Sequence, residues 1–402
     1  MEGKVYYERI EIGDLHFAFD HFTGKVVQFD SEEEAVSVCN RDINSDGSNF
    51  ETFLREMQHP TCLTITVELN NICNLKCIYC YQTQKGVRPE ITIDYIDKLV
   101  QYICSVYDAN HFQILVLRFI GGEPLLSADK LSYCYTRIKQ FCSSKRVLLL
   151  THIDTNGTIP FAEIVRKIPN LDMVVCLSNK EDHNVKRSGS FESILRNIAE
   201  LSDEEAKHVC FCYNVDHTNV DQFELFLQFI DSSCPQVKHV LTARIDDANC
   251  GTDYVNQMSE TEYAKWNSTD AIDLLIKYGH PISHCTFSTI NRCQGQSRYS
   301  CKLYSDGTIT VCDAMLHDSS CLTIEELIHD INLLDDRYKD IKKVSPLDDP
   351  ECSVCPSLIQ CGGKVFCRNE KCNYQAEFNE RAFIETYIKQ TLMGNANYFV
   401  NM

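Results

Sequence analysis

The chain has 402 residues, a length that predicts two or three domains rather than one. Hydrophobic residues make up 44% of it, yet no apolar run is long enough to span a membrane, and the first residues lack a signal-peptide core. A net charge of −19 argues against electrostatic binding of nucleic acid. The 23 cysteines then indicate metal ligands and buried thiols rather than disulfides. We expect a cytoplasmic protein without nucleic-acid or membrane partners.

Residues 1–60 predict a small α+β unit. Strands are expected over Lys4–Ile10, His16–Asp20 and Val26–Phe29, followed by a helix that Ser31 caps. So few elements enclose too little core to be stable alone. The unit should therefore pack against the rest of the chain or bind a partner.

Strands and helices alternate over residues 61–245. The expected strands are Leu63–Leu69, Phe112–Ile120, Val147–Asp154, Asp172–Leu177, His208–Val215 and His239–Arg244. The expected helices are Ile93–Tyr107, Ala128–Phe141, Phe161–Ile168, Ser190–Leu201 and Gln222–Ile230. Six strand-then-helix steps predict an α/β fold with a parallel sheet, and a closed barrel needs two more steps. We expect a partial (β/α)6 TIM-like barrel whose site lies at the carboxyl ends of the strands.

Residues 246–402 differ in character from the barrel. Glu260–Tyr278 predicts a connecting helix within residues 246–280, and Glu377–Leu392 predicts a helix near the C-terminus, assigned to residues 381–402. Residues 281–380 are rich in Cys, Gly and turn residues and poor in strand patterns. We expect a separate cysteine-rich domain there.

Cys73, Cys77 and Cys80 have C-x3-C-x2-C spacing directly after the first barrel strand. Three thiolates make a poor zinc site, because structural zinc takes four protein ligands. They suit a [4Fe–4S] cluster better, and three ligands leave one iron open to bind a small molecule. The alternative is a group of reduced cysteines that happen to lie close together.

The next two strands end in loops that also suit ligand binding. Gly121 and Gly122 allow close approach of the backbone, and Glu123 offers an acceptor for a charged amine, although such glycine pairs are often only turns. Thr155 and Asn156 follow the third strand and suit contacts with hydroxyl groups.

Together these motifs resemble the radical S-adenosylmethionine superfamily over about residues 61–245. The resemblance implies that S-adenosylmethionine binds the open iron and is cleaved by one electron to a 5′-deoxyadenosyl radical, which abstracts hydrogen from a substrate. It also implies that Tyr79 and Gly122 lie beside the cofactor and that Glu123 meets its amino group. The full implied cofactor-binding set is Tyr79, Gly121, Gly122, Glu123, Thr155, Asn156, Ser178 and Arg187.

The segment after the fourth strand fits this family less closely. Ser178 resembles the serine that contacts the cofactor ribose, and Arg187 resembles the arginine that reaches the cofactor carboxylate. The family's Ser-Leu-Asp-Gly is replaced by a shorter segment without Asp-Gly, which puts the Arg187 assignment in question. His183 is expected to be a surface or capping residue rather than a catalyst.

A second set of cysteines, within about residues 281–375, resembles the SPASM extension that holds two auxiliary [4Fe–4S] clusters. Zinc is the alternative ligand, because C-x2-C also suits zinc. The resemblance implies a first auxiliary cluster on Cys293, Cys312, Cys367 and either Cys301 or Cys285, and a second on Cys352, Cys355, Cys361 and Cys372. Cys367 follows Cys361 later than the pattern expects.

The resemblance implies a peptide maturase that forms a thioether or carbon–carbon cross-link in a ribosomally synthesised precursor peptide. A flavodoxin- or ferredoxin-type protein would donate electrons. The N-terminal unit vaguely resembles a leader-peptide recognition element and could bind a strand at its edge. One alternative is an anaerobic sulfatase-maturating enzyme that forms formylglycine, with Asp313 as catalytic base, although Asp313 fits a turn equally well. Another is a non-catalytic iron–sulfur or zinc scaffold.

Overall fold

The computed structural model describes residues 7–20, 26–31, 33–34, 37, 61–80, 82, 88–245, 253–284, 294–312, 321–342, 350 and 374–401. Its strands are β1 Tyr7–Ile12, β2 Leu15–Asp20, β3 Val26–Phe29, β4 Cys62–Glu68, β5 Ile114–Ile120, β6 Leu148–Thr155, β7 Leu171–Cys176, β8 Val209–Val215, β9 His239–Arg244, β10 Ile282–His284, β11 Cys301–Leu303, β12 Thr308–Thr310, β13 Leu322–Thr323 and β14 Phe399–Asn401.

Its α-helices are α1 Ile93–Asn110, α2 Ala128–Lys145, α3 Ala162–Lys167, α4 Lys180–Lys186, α5 Phe191–Ala199, α6 Asp203–Ala206, α7 Phe223–Ser233, α8 Glu260–Ser268, α9 Asp270–Lys277, α10 Ile324–His329, α11 Leu333–Arg337, α12 Lys339–Lys342 and α13 Tyr374–Leu392. In the described part of the chain, none of these helices is long and apolar enough to cross a membrane.

The chain divides into two compact units. One unit consists of Pro60–Met258 and Ser297–Tyr338, and we call it the sheet unit. The other consists of Met1–His59, Ser259–Gln296 and Lys339–Met402, and we call it the terminal unit. The division into five functional segments that the sequence predicts stays a prediction.

A nine-stranded sheet runs through the sheet unit in the order β13-β12-β11-β4-β5-β6-β7-β8-β9. Strands β4 to β9 pair in parallel and in chain order, so the expected α/β class with a parallel sheet is confirmed. A further strand, β11, pairs in parallel with β4, and β12 and β13 follow in antiparallel order. These three strands have only two or three residues each, too few for a hydrophobic period to reveal them.

The two faces of the sheet differ, as β5 illustrates. Leu117 and Phe119 are fully buried, whereas the side chain of Arg118 between them is 33% exposed. Right-handed crossovers place the helices on one face of a parallel sheet, and α1 buries Ile96 and Leu99 there. The apolar core therefore lies between the sheet and its helices, and the polar side chains lie on the opposite face.

The register of the sheet brings the carboxyl ends of its strands to one edge. Glu68 lies opposite Ile120 at the ends of β4 and β5, and Cys176 lies opposite Cys212 between β7 and β8. The loops after β4, β5, β6 and β7 consequently start side by side, which is where parallel α/β sheets bind ligands.

In the terminal unit, the antiparallel sheet β1-β2-β3 shares its core with helix α13. Its buried residues Ile10, Phe17 and Phe19 pack with Ile384 and Ile388 of that helix. The N-terminal strands therefore do not have to enclose a core by themselves, because the C-terminal helix completes it.

The prediction of a single helix over Glu260–Tyr278 was wrong, because the structure has two helices there. Thr269, between α8 and α9, has φ −125° and ψ −84°, outside the helical region. Its hydroxyl donates to the Lys265 carbonyl at 2.8 Å, a side-chain bond of the kind that bends helices.

Candidate functional site

Cys73, Cys77 and Cys80 lie in the loop that follows β4, at the carboxyl edge of the sheet. Cys73 is exposed, whereas Cys77 and Cys80 are half-buried. The Cys73 Sγ accepts from the Leu75 backbone N–H at 3.4 Å and from Asn156 Nδ2 at 3.6 Å. Such donors stabilise a thiolate, which is the form of cysteine that binds metals.

Two hydrogen bonds tie this loop to the segment at the end of α4. The Ile78 N–H donates to the Lys186 carbonyl at 3.1 Å, and the Lys76 N–H donates to Ser188 Oγ at 3.3 Å. The loop after β4 therefore reaches past the intervening strands to the segment that follows β7.

Gly121 and Gly122 pack directly on the backbone that precedes the cysteines. A Cβ at Gly121 would lie 2.6 Å from the Asn70 carbonyl oxygen, and one at Gly122 would overlap the Ile72 carbonyl. The Gly122 N–H donates to Asn70 O at 3.0 Å, and the Glu123 N–H donates to Ile72 O at 2.8 Å. The structure thus requires both glycines for contact between two loops of the protein, and their contact with a ligand stays a prediction.

The Glu123 side chain is fully buried and connects the loops after β5 and β6. Its Oε1 accepts from Thr155 Oγ1 at 2.7 Å and from the Leu125 N–H at 2.9 Å, and its Oε2 accepts from the Asn156 N–H at 2.7 Å. Burial raises the pKa of Glu123, while these three donors oppose the rise. The carboxylate thereby fixes Asn156, whose side chain meets Cys73.

A small pocket opens beside the cysteine loop. It is lined by Tyr79, Leu177, Ser178, Asp182, Lys186, Arg187 and Asn214. Three residues predicted separately from the sequence, Tyr79, Ser178 and Arg187, therefore lie around one space.

Arg187 is a buried cation in this pocket, with 6% of its surface exposed. Its Nη1 donates to the Tyr79 hydroxyl at 2.9 Å, and its buried Nε has no hydrogen-bond partner within the described part of the chain. Burial acts to lower the pKa of Arg187, but Tyr79, Cys176 and Cys77 raise it overall, so the group stays charged. A buried charge is costly unless an anion accompanies it.

Arg187 also affects the pKa of a cysteine in the loop. Burial raises the pKa of Cys77 to about 11, and the Arg187 guanidinium opposes that rise. Burial also raises the pKa of Cys73. These thiols therefore favour the neutral form until a metal centre withdraws their protons.

The chemistry of the three-thiol loop is compatible with a cluster. Among the described residues, no three His, Cys, Asp or Glu side chains converge closely enough to hold one metal ion. A cubane binds its cysteines through different iron atoms, so its ligands need not converge on one point. The N–H donors at Cys73 suit a thiolate-bound cluster, and the free Nε of Arg187 suits a carboxylate.

Several residues in or next to the pocket were not predicted as site residues from the sequence. Lys186 Nζ lies 2.5 Å from Asp182 Oδ1 and 2.5 Å from Asp216 Oδ2. The Tyr254 hydroxyl donates to the same Asp216 carboxylate, and its ring lies edge-on to Tyr79 with centroids 5.9 Å apart. A search of the sequence for opposite charges at positions i and i+4 would have found Asp182 and Lys186. Asp216 is 30 positions from Lys186, and no sequence pattern connects the two.

His183 is fully buried, so the expectation of a surface position was wrong. The Ser178 N–H donates to its Nδ1 at 3.3 Å, and its Nε2 lies 2.8 Å from Ser190 Oγ. Since Nδ1 accepts a bond, Nε2 carries the proton and donates to Ser190. Burial, aided by Arg187, lowers the pKa of His183 to about 3. The neutral ring therefore supports the backbone at Ser178.

Most of the second cysteine set lies outside the described residues. These predicted residues are Cys285, Cys293, Cys352, Cys355, Cys361, Cys367 and Cys372, together with Asp313. Of the two that are described, Cys301 is fully buried in β11, opposite Ile65 of β4, and Cys312 is half-buried. Their roles as ligands stay predictions.

Comparison with known proteins identifies the domain that carries this site. The Radical SAM superfamily model matches residues 67–230. Fe-coproporphyrin III synthase of Methanosarcina barkeri is 22% identical over 240 residues, which cover 56% of this chain and 55% of that protein. The chain spans about half the length, or less, of the curated relatives that it matches.

Two solved structures have a similar fold. The structure of anSMEcpe with bound AdoMet has a TM-score of 0.65 and 18% identity, covering 84% of this chain and 100% of that one. The structure of Streptococcus suis SuiB bound to precursor peptide SuiA has a TM-score of 0.54 and 14% identity, covering 89% of this chain and 95% of that one. At such identities the likeness concerns the fold alone. The sequence match over residues 67–230, and not these folds, therefore indicates the family of this part of the chain, the Radical SAM superfamily.

Proposed function

We propose that the chain is a peptide maturase that forms a thioether or carbon–carbon cross-link in a ribosomally synthesised precursor peptide. The observation that carries this proposal is the meeting of the cysteine loop, Asn156 and Arg187 at one edge of the sheet, within a radical SAM domain. Bound cluster and S-adenosylmethionine would supply a carbon-centred radical that takes hydrogen from the peptide.

The chain's own residues would bind and orient these groups. Cys73, Cys77 and Cys80 would hold the cluster, and Asn156 would donate to the Cys73 thiolate. The charge of Arg187 would bind the cofactor carboxylate, because the pocket gives this buried guanidinium only neutral hydrogen-bond partners among the described residues.

Two further residue sets complete this assignment. Ser178 and the loops with Gly121, Gly122, Glu123 and Thr155 would surround the rest of the cofactor. In the SPASM domain proposed for residues 281–380, auxiliary clusters on the second cysteine set would accept the electron that the substrate radical loses. A flavodoxin- or ferredoxin-type protein would reduce the first cluster.

The terminal unit supports a peptide substrate. Its strand β3 is at the edge of the three-stranded sheet and, among the described residues, pairs only with β2. An extended peptide can add a strand at such an edge through backbone hydrogen bonds. The likeness to SuiB, which was solved with its precursor peptide, is consistent with this use.

Formation of formylglycine is the second candidate. The observation that favours it is Asp313, which directly follows Cys312 and resembles the catalytic base of anaerobic sulfatase-maturating enzymes. In this reaction the base would take the proton that the oxidised residue loses.

Mass spectrometry of a candidate precursor peptide, co-expressed with the full chain under anaerobic conditions, tests the proposal. A cross-link removes two hydrogens, whereas formylglycine replaces the side chain of one cysteine or serine by an aldehyde. The triple variant Cys73→Ala, Cys77→Ala, Cys80→Ala is the matched control and should leave the peptide unmodified. If wild type forms only the aldehyde, the cross-linking assignment is wrong; a cross-link made by the triple variant would refute the radical mechanism.

A further inference from the structure

The Tyr79 hydroxyl sits at the centre of a small hydrogen-bonded group in the pocket. It accepts from Arg187 Nη1 at 2.9 Å and from Asn214 Nδ2 at 3.1 Å. A hydroxyl gives the guanidinium a hydrogen bond but not the paired contact that a carboxylate makes. It fixes the position of the guanidinium without satisfying its need for an anion.

Tyr79 and Asn214 are themselves held in place by neighbouring side chains. The Tyr79 ring is in edge contact with Tyr254. The Asn214 Oδ1 accepts from Cys212 Sγ at 3.6 Å, which sets the amide so that Nδ2 faces Tyr79. The guanidinium is therefore presented by groups from the cysteine loop and from β8, both remote from it in sequence.

Arg187 also has a donor that the hydrogen bond to Tyr79 does not use. Nη1 donates to Tyr79, and the buried Nε has no hydrogen-bond partner among the described residues. A guanidinium binds carboxylates through paired parallel N–H bonds, and this binding depends on its orientation as well as its charge.

We propose that Tyr79 and Asn214 are positioning residues that orient Arg187 to bind the carboxylate of S-adenosylmethionine. The inference rests on the proposed function, since it takes that cofactor as the occupant. It assigns the Tyr79 hydroxyl a role separate from that of its ring, and it adds Asn214 to the site.

Equilibrium dialysis with the cluster-reconstituted full chain tests this role. The probes are S-adenosylmethionine and 5′-methylthioadenosine, which keeps the adenosine but lacks the carboxylate. Tyr79→Phe should weaken binding of S-adenosylmethionine by about fivefold, the scale of one lost hydrogen bond, and leave binding of 5′-methylthioadenosine unchanged. Tyr102→Phe removes another buried hydroxyl bond, to the Tyr299 carbonyl, and should change neither affinity.

A double-mutant cycle asks whether Tyr79 acts through Arg187. In an Arg187→Met background, Tyr79→Phe should have no further effect on the affinity for S-adenosylmethionine. An equal loss of affinity for both probes, or effects that multiply in the double variant, would overturn the positioning role.

The same measurements separate this inference from the proposed function. If wild type binds and cleaves S-adenosylmethionine but Tyr79→Phe binds it equally well, only the positioning role fails. If reconstituted wild type neither binds nor cleaves it, the proposed function fails and this inference fails with it.

Discussion

Two buried arginines in the sheet unit differ in their hydrogen-bond partners. Arg88 forms a two-pronged ion pair with Glu68, Nε to Oε1 at 2.8 Å and Nη2 to Oε2 at 2.7 Å. Arg187 is as deeply buried but donates to the neutral Tyr79 hydroxyl. A buried ion pair is internally balanced, whereas a buried cation with neutral partners calls for an external anion. On this difference we propose that Arg88 is structural and that Arg187 binds a ligand.

The residue next to Arg187 makes the contrast sharper. Lys186 lies in the same pocket and contacts two carboxylates, those of Asp182 and Asp216. Asp182 lines the pocket, yet its carboxylate pairs with the lysine. Among the described residues, Arg187 is not paired with a carboxylate and donates to the Tyr79 hydroxyl.

The largest expected effect on stability comes from breaking the structural pair. Arg88→Met leaves Glu68 buried and without its cation, so it should lower the free energy of unfolding by about 3–5 kcal/mol. Arg187→Met removes a buried charge and should change that free energy by less than about 1 kcal/mol. Urea titrations of both variants measure the difference. Equal losses of stability would contradict the division into structural and ligand-binding arginines.

His183 should have a smaller effect on stability, one that depends on pH. Its ring is buried in the neutral form. Its pKa is about 3 in the folded chain, against an ordinary value of 6.5. Between these values the unfolded chain binds a proton that the folded chain does not, so stability falls as the pH falls. The loss should be up to about 1.4 kcal/mol per pH unit below pH 6.5, or about 2 kcal/mol at pH 5.

Unfolding titrations at pH 7 and pH 5 check this dependence. His183→Gln should remove that part of the pH slope, whereas the exposed His329→Gln should keep it. The same slope in wild type and His183→Gln would show that His183 is not buried in its neutral form.

The sequence predicts the fold and the site edge where the signals are local. Strands β4 to β9 have strand patterns of six to eight residues. The loops with Cys73, Gly121 and Asn156 directly follow three of them, so topology alone brings these loops together. The pocket depends on contacts between distant segments. Asn214 and Tyr79 are separated by 135 positions, and no local pattern joins them.

The two glycines show that one sequence signal can have two structural causes. The sequence indicates a need for close backbone approach at Gly121 and Gly122. The structure identifies the approaching groups as the carbonyls of Asn70 and Ile72. Close packing of two loops and close approach of a ligand leave the same sequence signal, and only coordinates separate them.

Formation of 5′-deoxyadenosine tests the central claim most directly. The full chain, reconstituted with iron and sulfide and then reduced in the presence of S-adenosylmethionine, should release this product without any peptide. The triple variant Cys73→Ala, Cys77→Ala, Cys80→Ala should release none and should keep its far-ultraviolet circular dichroism, because the Cys73 side chain is exposed and the loop is held by backbone bonds. Product release by the triple variant, or its absence from iron-loaded wild type, would contradict the account.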